Sequence, residues 1–251
     1  MDGERNTQGQ GRLRVPEISW EWDKADYQPE WHEPLYEVVA RYVPEGAGVL
    51  EVGAGGSATL GMLAARRGCR AVGCEPDAAG VETALRLAAR EGARVGFVRG
   101  DGFALPFADG AFDVVYSLGL VEHFSPAETA ALVAEHRRVC RPGGRVILSV
   151  PNLLNLPHTL YKAALGEKYR YHPERSLSPA TLRALMEGAG LRVVARDGLL
   201  PLWGVGIMPG GWRVTAALKR LGLAQRLDAL RSEGLRAALG YMTFAVGERP
   251  A

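Results

Sequence analysis

Residues 49–57 read Val49-Leu50-Glu51-Val52-Gly53-Ala54-Gly55-Gly56-Ser57, and this stretch decides the fold that the sequence predicts. Its first four residues are typical of a buried strand in a parallel sheet, because three of them are apolar. The glycines let the backbone turn sharply and approach a ligand closely. Ser57 is predicted to cap a helix that starts near Ala58. A strand, a glycine-rich turn and a helix N-terminus make a cradle of nucleotide size, so we predict a cofactor site here.

A regular alternation of strand and helix patterns follows this turn. Apolar runs of strand length are separated by segments with helical spacing. A capping box, Ser125-Pro126-Ala127-Glu128, marks the start of one helix, and Pro142-Gly143-Gly144 is predicted to end it. Such alternation predicts an α/β fold in which helices cover both faces of a parallel sheet. The predicted strands cover residues 49–52, 70–75, 95–99, 112–118, 145–150, 191–196 and 241–246, the last two paired antiparallel.

Three segments stand outside this alternation. Residues 1–34 are predicted to be a polar tail and an aromatic segment that caps the core, which itself covers residues 35–150 and opens with a short helix at 35–42. Residues 151–177 follow the carboxyl end of a central strand, so they are predicted to form a lid over the ligand crevice. Residues 178–251 complete the fold and contain a helical insertion at about 199–239. The aromatic segment contains Trp20, Trp22, Tyr27, Trp31 and His32.

Composition narrows the class of protein. A length of 251 residues suits one large domain, and the net charge of +2 gives no argument for nucleic-acid binding. Cys69, Cys74 and Cys140 lack metal-ligand spacing and are interpreted as reduced, buried thiols. A long uncharged stretch, residues 198–212, is broken by prolines and too short to span a bilayer as a helix. We therefore predict a cytoplasmic protein without a bound metal ion and without stable membrane insertion.

Two acidic residues flank the predicted cradle and leave two cofactor classes to compare. Gly53, Gly55 and Ala58 also satisfy the relaxed dinucleotide pattern G-x-G-x-x-G/A, and Glu75 can hold the ribose of a dinucleotide or of an adenosyl ligand. Glu51, placed by its spacing at the mouth of the cradle, repels a pyrophosphate and favours a cationic ligand. Residues 49–60 contain no lysine or arginine to bind phosphate. S-adenosylmethionine, which carries a sulfonium and an ammonium, suits these features better than a nicotinamide cofactor.

Residues 49–150 resemble the class I S-adenosylmethionine-dependent methyltransferases of the small-molecule type. The resemblance implies a Rossmann-like seven-stranded methyltransferase sheet that is mostly parallel with one antiparallel strand, and it matches residues 178–196 more loosely. One departure is Ser57, where the family often has a third alternate glycine. The matching stretches are Val49 to Gly56, Val72-Gly73-Cys74-Glu75-Pro76, Gly100 to Phe107, Phe112 to Ser117, Glu122-His123-Phe124 and Arg141-Pro142-Gly143-Gly144.

The resemblance also implies roles for individual residues in binding S-adenosylmethionine. The glycine turn would admit the methionine part of the cofactor, with Glu51 near its ammonium. Glu75 would hold the ribose hydroxyls and Asp101 the adenine amino group, while Ser117 would lie close to the methionine part. The predicted cofactor-binding residues are Glu51, Gly53, Ala54, Gly55, Glu75, Pro76, Asp101, Gly102, Phe103 and Ser117.

The acceptor side of the site is less defined by the sequence. A base is needed only where the acceptor carries a proton, and His123, Tyr161 and His172 are the candidates. We expect a small-molecule acceptor with oxygen as the first choice of atom, nitrogen and carbon remaining open. An adenosyl-binding protein without methyl transfer and a nicotinamide-dependent oxidoreductase are the rival hypotheses.

Two features of the C-terminal half bear on partners. The apolar run from Leu199 to Trp212 predicts either the wall of a pocket for a hydrophobic or aromatic acceptor, or a subunit contact in a homodimer. The arginines after residue 212 are interpreted as solvated faces of helices, with RNA phosphate or anionic lipid as the alternative partners. These arginines are Arg213, Arg220, Arg226, Arg231 and Arg236.

Overall fold

The computed structural model describes residues 27–169, 174–223 and 232–251, and its centre is a seven-stranded sheet. The strand order is β3-β2-β1-β4-β5-β7-β6. Strand β7 pairs antiparallel with both β5 and β6, and all other pairs are parallel. The strands are β1 (Gly48–Val52), β2 (Arg70–Cys74), β3 (Gly96–Val98), β4 (Phe112–Leu118), β5 (Cys140–Pro151), β6 (Arg192–Leu199) and β7 (Met242–Glu248). The predicted sheet, including its single antiparallel strand, is confirmed.

Helices cover both faces of this sheet because the strands are apolar on both sides. Val49 packs into one hydrophobic cluster with α1 and α2, whereas its neighbour Leu50 packs into another with α4 and α6. This alternation is expected of a strand buried on two faces. The helices are α1 (Pro29–Ala40), α2 (Thr59–Arg67), α3 (Ala78–Arg90), α4 (Pro126–Val139), α5 (Leu156–Leu165), α6 (Pro179–Gly188), α7 (Trp203–Gly206), α8 (Gly211–Arg220) and α9 (Glu233–Leu239).

Three boundaries differ from the sequence prediction. Helix α1 begins at Pro29 rather than near residue 35, because a proline is tolerated in the first turn and Pro34 is accommodated inside the helix. Strand β5 begins at Cys140, since its pairing with β4 starts before the glycines and a register shift lets residues 141–144 bulge. Ser57 is not the cap of α2: Ala58 holds that position, and no side chain caps this helix.

The two insertions after β5 and β6 are packed together rather than independent. Asn152 donates its side-chain amide to the carbonyls of Ala237, Ala238 and Gly240, and Asn155 donates to Pro201 and Leu239. A Cβ at Gly204 would lie 2.1 Å from the Asn155 side-chain oxygen, so only glycine allows this approach. The segments around α5 and α7–α9 therefore form one unit, which we call the insertion unit.

Aromatic residues join α1 to the insertion unit. The Trp31 ring lies 5.3 Å from Trp203 and 6.1 Å from Tyr241, measured between centroids. Trp20 and Trp22 of the predicted aromatic cap lie outside the described residues. The three cysteines are free and buried, as expected.

A buried acid in the edge strand β6 pairs with two arginines, one directly after α1 and one in α9. Asp197 in β6 is fully buried and accepts hydrogen bonds from Arg41, at 2.7 Å, and from Arg236, at 2.6 and 3.0 Å. The sequence predicts a solvated helix face for Arg236, and this prediction is wrong because Arg236 is paired with Asp197. The same pairing raises the pKa of Arg236.

We expect Asp197→Ala to lower the free energy of unfolding by about 2 kcal/mol, because both guanidinium groups lose their acceptor while remaining partly solvated. Urea denaturation measures this change. The control is Arg192→Gln in the same strand, which breaks an exposed pair with Glu248 and is expected to cost less than about 0.5 kcal/mol. Equal costs for the two variants would show that the buried pairs do not stabilise this edge.

Candidate functional site

The glycine turn after β1 is held against the end of β2. The amides of Gly53 and Ala54 both donate to the Cys74 carbonyl, at 2.9 and 3.3 Å. Gly53 has φ of +71°, and a Cβ there would lie 2.9 Å from Leu120 in the loop after β4. A side chain at this position is therefore excluded by both backbone conformation and contact. The turn keeps its backbone bare at the carboxyl edge of the sheet.

Glu75, directly after β2, has its carboxylate fixed by two backbone amides. Gly55 in the glycine turn donates to one oxygen at 2.9 Å, and Asp77 donates to the other at 3.0 Å. The side chain is buried, and burial raises the pKa of this carboxyl while the two amides oppose the shift. Each oxygen keeps a free lone pair, so the group can accept further hydrogen bonds from a ligand with two adjacent hydroxyls.

Glu51 lies buried beneath the turn rather than at an open mouth. Its carboxyl accepts a hydrogen bond of 2.8 Å from the Tyr116 hydroxyl on the neighbouring strand β4. Burial raises the pKa of Glu51 to about 7, against the effect of that hydrogen bond. Tyr116 was not predicted as a site residue, although its register opposite Glu51 follows from the parallel pairing of β1 and β4. The site therefore contains a carboxyl that changes its charge near neutral pH.

The predicted adenine contacts lie in the loop after β3. Asp101 accepts a hydrogen bond from the Phe103 amide at 2.9 Å, so the acid and the aromatic residue are held together. A Cβ at Gly102 would lie 3.1 Å from Val52, which places this loop against the end of β1. Pro76 is positioned by Arg99, whose guanidinium donates to its carbonyl. The loop therefore reaches the same edge of the sheet as the glycine turn.

The end of β4 connects this edge to the predicted base. Ser117 is buried, and its hydroxyl has no hydrogen-bond partner among the residues that the structure describes. His123 lies in a short 3₁₀ turn, Val121–His123, and is half-buried. The next residue, Phe124, packs edge-on against Phe103 with ring centroids 5.0 Å apart. The residue after His123 is thus in contact with the predicted adenine loop.

A buried polar network between β4 and the insertion unit was not predicted as a whole. Glu122 is buried, one of its carboxyl oxygens lacks a partner in the described part of the chain, and its backbone carbonyl accepts from the Arg175 amide. Burial raises the pKa of Glu122 well above its usual range, and Glu174 raises it further. Glu174 pairs with Lys162 at 2.9 Å and lies 4.0 Å from His158. The sequence signal was weak, because Glu122 is separated from the other members by more than 30 residues.

His158 is the innermost residue of α5. Its Nε2 lies 2.9 Å from the Tyr169 hydroxyl, while Nδ1 has no partner within the described residues. Burial lowers the pKa of His158 to about 4, so the ring is neutral at pH 7. Tyr161 lies on the same helix and is half-buried, and His172 falls outside the described residues. The structure therefore brings a neutral imidazole, rather than a cation, to the inner face of the insertion unit.

Three features complete the description of possible ligand sites. A cavity of about 270 Å³ between α1 and α9 is lined in part by Leu199, Leu200 and Pro201, but by none of the predicted cofactor residues. No three His, Cys, Asp or Glu residues in the described ranges are arranged to hold a metal ion. Among the helices described, none is long and apolar enough to cross a bilayer.

Comparisons with known proteins agree with this geometry. The model of a methyltransferase domain matches residues 49–144. An uncharacterized methyltransferase of Mycobacterium sp. (strain JLS) is 35% identical over 177 residues, which cover 66% of this chain and 68% of that relative.

Two solved structures share the fold. A chain from the complex of the Haloferax volcanii Trm112 methyltransferase activator with a methyltransferase has a TM-score of 0.63 and 22% identity, over 88% of this chain and 90% of its own. Haemonchus contortus phosphoethanolamine N-methyltransferase 2, solved with S-adenosyl-L-methionine, has a TM-score of 0.60 and 18% identity, over 88% of this chain and 53% of its own. The family match and the mycobacterial relative thus agree with the glycine turn, the two acidic positions and the seven-stranded sheet. The chain belongs to the class I S-adenosylmethionine-dependent methyltransferases.

Proposed function

We propose that this enzyme binds S-adenosyl-L-methionine at the glycine turn and transfers its methyl group to a small-molecule acceptor. The observation that carries the proposal is the Glu75 carboxylate, pinned by the amides of Gly55 and Asp77 beside a turn without phosphate-binding cations. A ribose presents two adjacent hydroxyls, which match the free lone pairs of this carboxylate. The family assignment and the absence of lysine and arginine from residues 49–60 argue against the nicotinamide alternative.

The remaining cofactor residues have complementary roles in this proposal. Asp101, with Phe103 held beside it, faces the adenine part, and the bare backbone of Gly53 and Gly55 lies against the methionine part. Glu51 acts from beneath the turn as a charge that favours a cationic ligand. When bound, the cofactor supplies a methyl group already activated on a sulfonium. The protein then has to orient the acceptor and exclude water.

The acceptor is proposed to lie between the end of β4 and the insertion unit. Unpartnered polar atoms of Ser117, Glu122 and His158 are buried in this region of the described structure, and buried polar groups normally have partners. Burial raises the pKa of the Glu122 carboxyl well above its usual range, and in its protonated form this group is suited to donate a hydrogen bond to an acceptor oxygen. His123 is the proposed base, and Tyr161 is the second candidate. We therefore propose an oxygen acceptor.

Formation of S-adenosylhomocysteine tests the proposal directly. The purified chain is incubated with S-adenosylmethionine and separate panels of phenols, aliphatic alcohols, carboxylic acids, amines and thiols. Turnover with hydroxyl or carboxyl compounds is the expected result. The Haemonchus neighbour is named for methylation of nitrogen, so turnover with amines alone would overturn the choice of oxygen. Tight cofactor binding without turnover on any panel would favour an adenosyl-binding protein that transfers no methyl group.

His123→Gln is expected to lower kcat for a hydroxyl acceptor by about a hundredfold, because a positioned base contributes roughly that factor. The dissociation constant for S-adenosylmethionine should stay within about twofold, since this side chain is assigned to the acceptor. Tyr161→Phe serves as the matched comparison and is expected to change kcat by less than about threefold. The reverse ranking would assign the base to Tyr161, and a loss of cofactor affinity in His123→Gln would contradict the role given to His123.

A further inference from the structure

The outer face of α5 is apolar although it is turned to solvent. Leu156 and Leu160 are 64% and 66% exposed, and the other exposed residues of the helix are Ala163 and Ala164. Their spacing of four, three and one residues places them on one side of the helix. The opposite side carries His158, which is fully buried. A helix on a protein surface normally directs its polar residues toward water. Helix α5 directs apolar residues there instead, which is typical of a surface that contacts something other than water.

Further exposed apolar residues lie elsewhere in the insertion unit. Leu153 and Leu154, in the turn before α5, are also exposed. Helix α7 packs against both α5 and α8. Val214 on α8 and Leu221, the residue directly after this helix, are 50% and 71% exposed and lie seven residues apart. We call Leu153, Leu154, Leu156, Leu160, Val214 and Leu221 the outer leucine surface.

Basic residues accompany this apolar surface. Arg213, Lys219 and Arg220 are exposed on α8, and the Arg213 guanidinium lies 5.3 Å from the centre of the exposed Trp212 ring. Helices that lie in a membrane interface combine a leucine-rich face with lysine and arginine on the polar face, and tryptophan is enriched at that depth. Helix α8 supplies an exposed valine, an exposed tryptophan and three exposed basic residues, and the exposed Leu221 follows its last turn.

Charged residues are unevenly distributed between the two stretches that contain the insertion unit and the rest of the sequence. Residues 151–177 and 199–239 contain ten Lys or Arg and four Asp or Glu, whereas the rest of the chain contains 20 and 24. The two sequence stretches that contain the insertion unit are thus basic, although Arg236 is paired with Asp197, and the rest of the sequence is acidic. An anionic surface attracts the first and repels the second, which orients the molecule with the insertion unit toward that surface.

We propose that the outer leucine surface docks on the interface of a bilayer that contains anionic lipids. A second copy of this chain is the less suitable occupant, because two basic insertion units facing each other repel. RNA phosphates would contact the arginines, but the exposed leucines would remain in water. A bilayer satisfies both the apolar residues and the positive charges. This docking concerns the outside of the insertion unit and is independent of which acceptor the enzyme uses.

Sedimentation with vesicles of defined composition tests the proposal with the full-length chain. One set contains phosphatidylcholine with about one-third phosphatidylglycerol, and the other contains phosphatidylcholine alone. We expect binding to the anionic vesicles that weakens as salt is raised, and little binding to the neutral ones.

Two pairs of substitutions separate the apolar from the electrostatic contribution. Leu156→Gln with Leu160→Gln is expected to weaken binding at least about tenfold, because two inserted leucines are lost. Lys219→Gln with Arg220→Gln is expected to weaken binding to anionic vesicles about tenfold, since each charge contributes to attraction by the surface. The control is Leu85→Gln on α3, where an exposed leucine lies outside the insertion unit, and it should change binding less than about twofold. Thermal unfolding and the affinity for S-adenosylmethionine should be unchanged in all three.

Several results would overturn the docking proposal. These are equal binding to the two kinds of vesicle, no binding to either, and equal loss in the Leu85 control. Ultracentrifugation adds one more: a dimer that dissociates in the Leu156→Gln, Leu160→Gln variant and does not bind vesicles would make this surface an interface between copies. None of these results bears on cofactor binding, so failure here is distinguishable from failure of the proposed methyl transfer.

Discussion

Glu75→Ala is expected to weaken binding of S-adenosylmethionine by at least about a hundredfold, the largest effect of any single substitution in the site. The proposed loss is two hydrogen bonds from ribose hydroxyls to a carboxylate, each contributing about 1.5–3 kcal/mol. The substitution also removes the acceptor of the Gly55 amide, which lies 2.9 Å from the carboxylate and helps to fix the turn. Isothermal titration calorimetry at neutral pH measures the change in affinity.

Asp77→Ala is the matched control, two residues away. Asp77 caps α3 by accepting a hydrogen bond from the Ala79 amide at 2.9 Å, and its own amide, which anchors Glu75, is retained in the variant. We expect a loss of about 1 kcal/mol in stability and a change of less than about threefold in cofactor affinity. Glu75→Gln keeps the shape and should show an intermediate loss of about tenfold. An affinity within threefold of wild type for Glu75→Ala would remove Glu75 from the cofactor site.

Glu51→Gln is expected to stabilise the fold at pH 8 and to lower the affinity for S-adenosylmethionine. The folded-state pKa of Glu51 is about 7, raised by burial from an ordinary value of 4.5. Between these two pH values the folded chain holds a proton that the unfolded chain has released, so stability falls as pH rises through this window. A shift of that size corresponds to about 3 kcal/mol above pH 7, which the neutral amide avoids. The amide oxygen can still accept the hydrogen bond from Tyr116.

Denaturation in urea at pH 5 and pH 8 measures the first effect. The stability gain of Glu51→Gln should be about 3 kcal/mol at pH 8 and less than about 1 kcal/mol at pH 5, where Glu51 is protonated in the folded chain. A gain that does not depend on pH would show that Glu51 does not titrate near 7.

Calorimetry over the same pH range measures the second effect. Wild-type affinity for S-adenosylmethionine should rise as pH increases through 7, because the ionised carboxylate favours a cation. The affinity of the Gln variant should be flat with pH and about tenfold lower at pH 8. Parallel profiles for the two proteins would rule out the charge of Glu51 as a determinant of binding.

The proximity of the proposed cofactor residues could be predicted from sequence, because these residues follow successive strands. In a parallel sheet the carboxyl ends of β1, β2 and β4 meet at one edge, so Glu75 and the glycine turn had to be neighbours. The burial of Glu51 was not predicted, since it depends on Tyr116 from a strand more than 60 residues away. The cap assigned to Ser57 was wrong because Ala58 occupies the N-cap position and no side chain caps this helix.

The sequence by itself determined the sheet and its order of elements, because apolar periodicity and glycine turns act over short distances along the chain. Its matching stretches between residues 49 and 150 carried the resemblance to the family. Only the tertiary structure decided how the two insertions combine, since Asn152 and Asn155 join segments separated by about 85 residues. Tertiary structure alone also assembled Glu122, Glu174 and His158 into one buried network. It turned the leucines of α5 outward as well, because the inner side of this helix is filled by His158 and its polar neighbours. In α5 the apolar pattern predicts the wrong buried side, because the residues that pack against this helix enclose His158 and leave Leu156 and Leu160 outside.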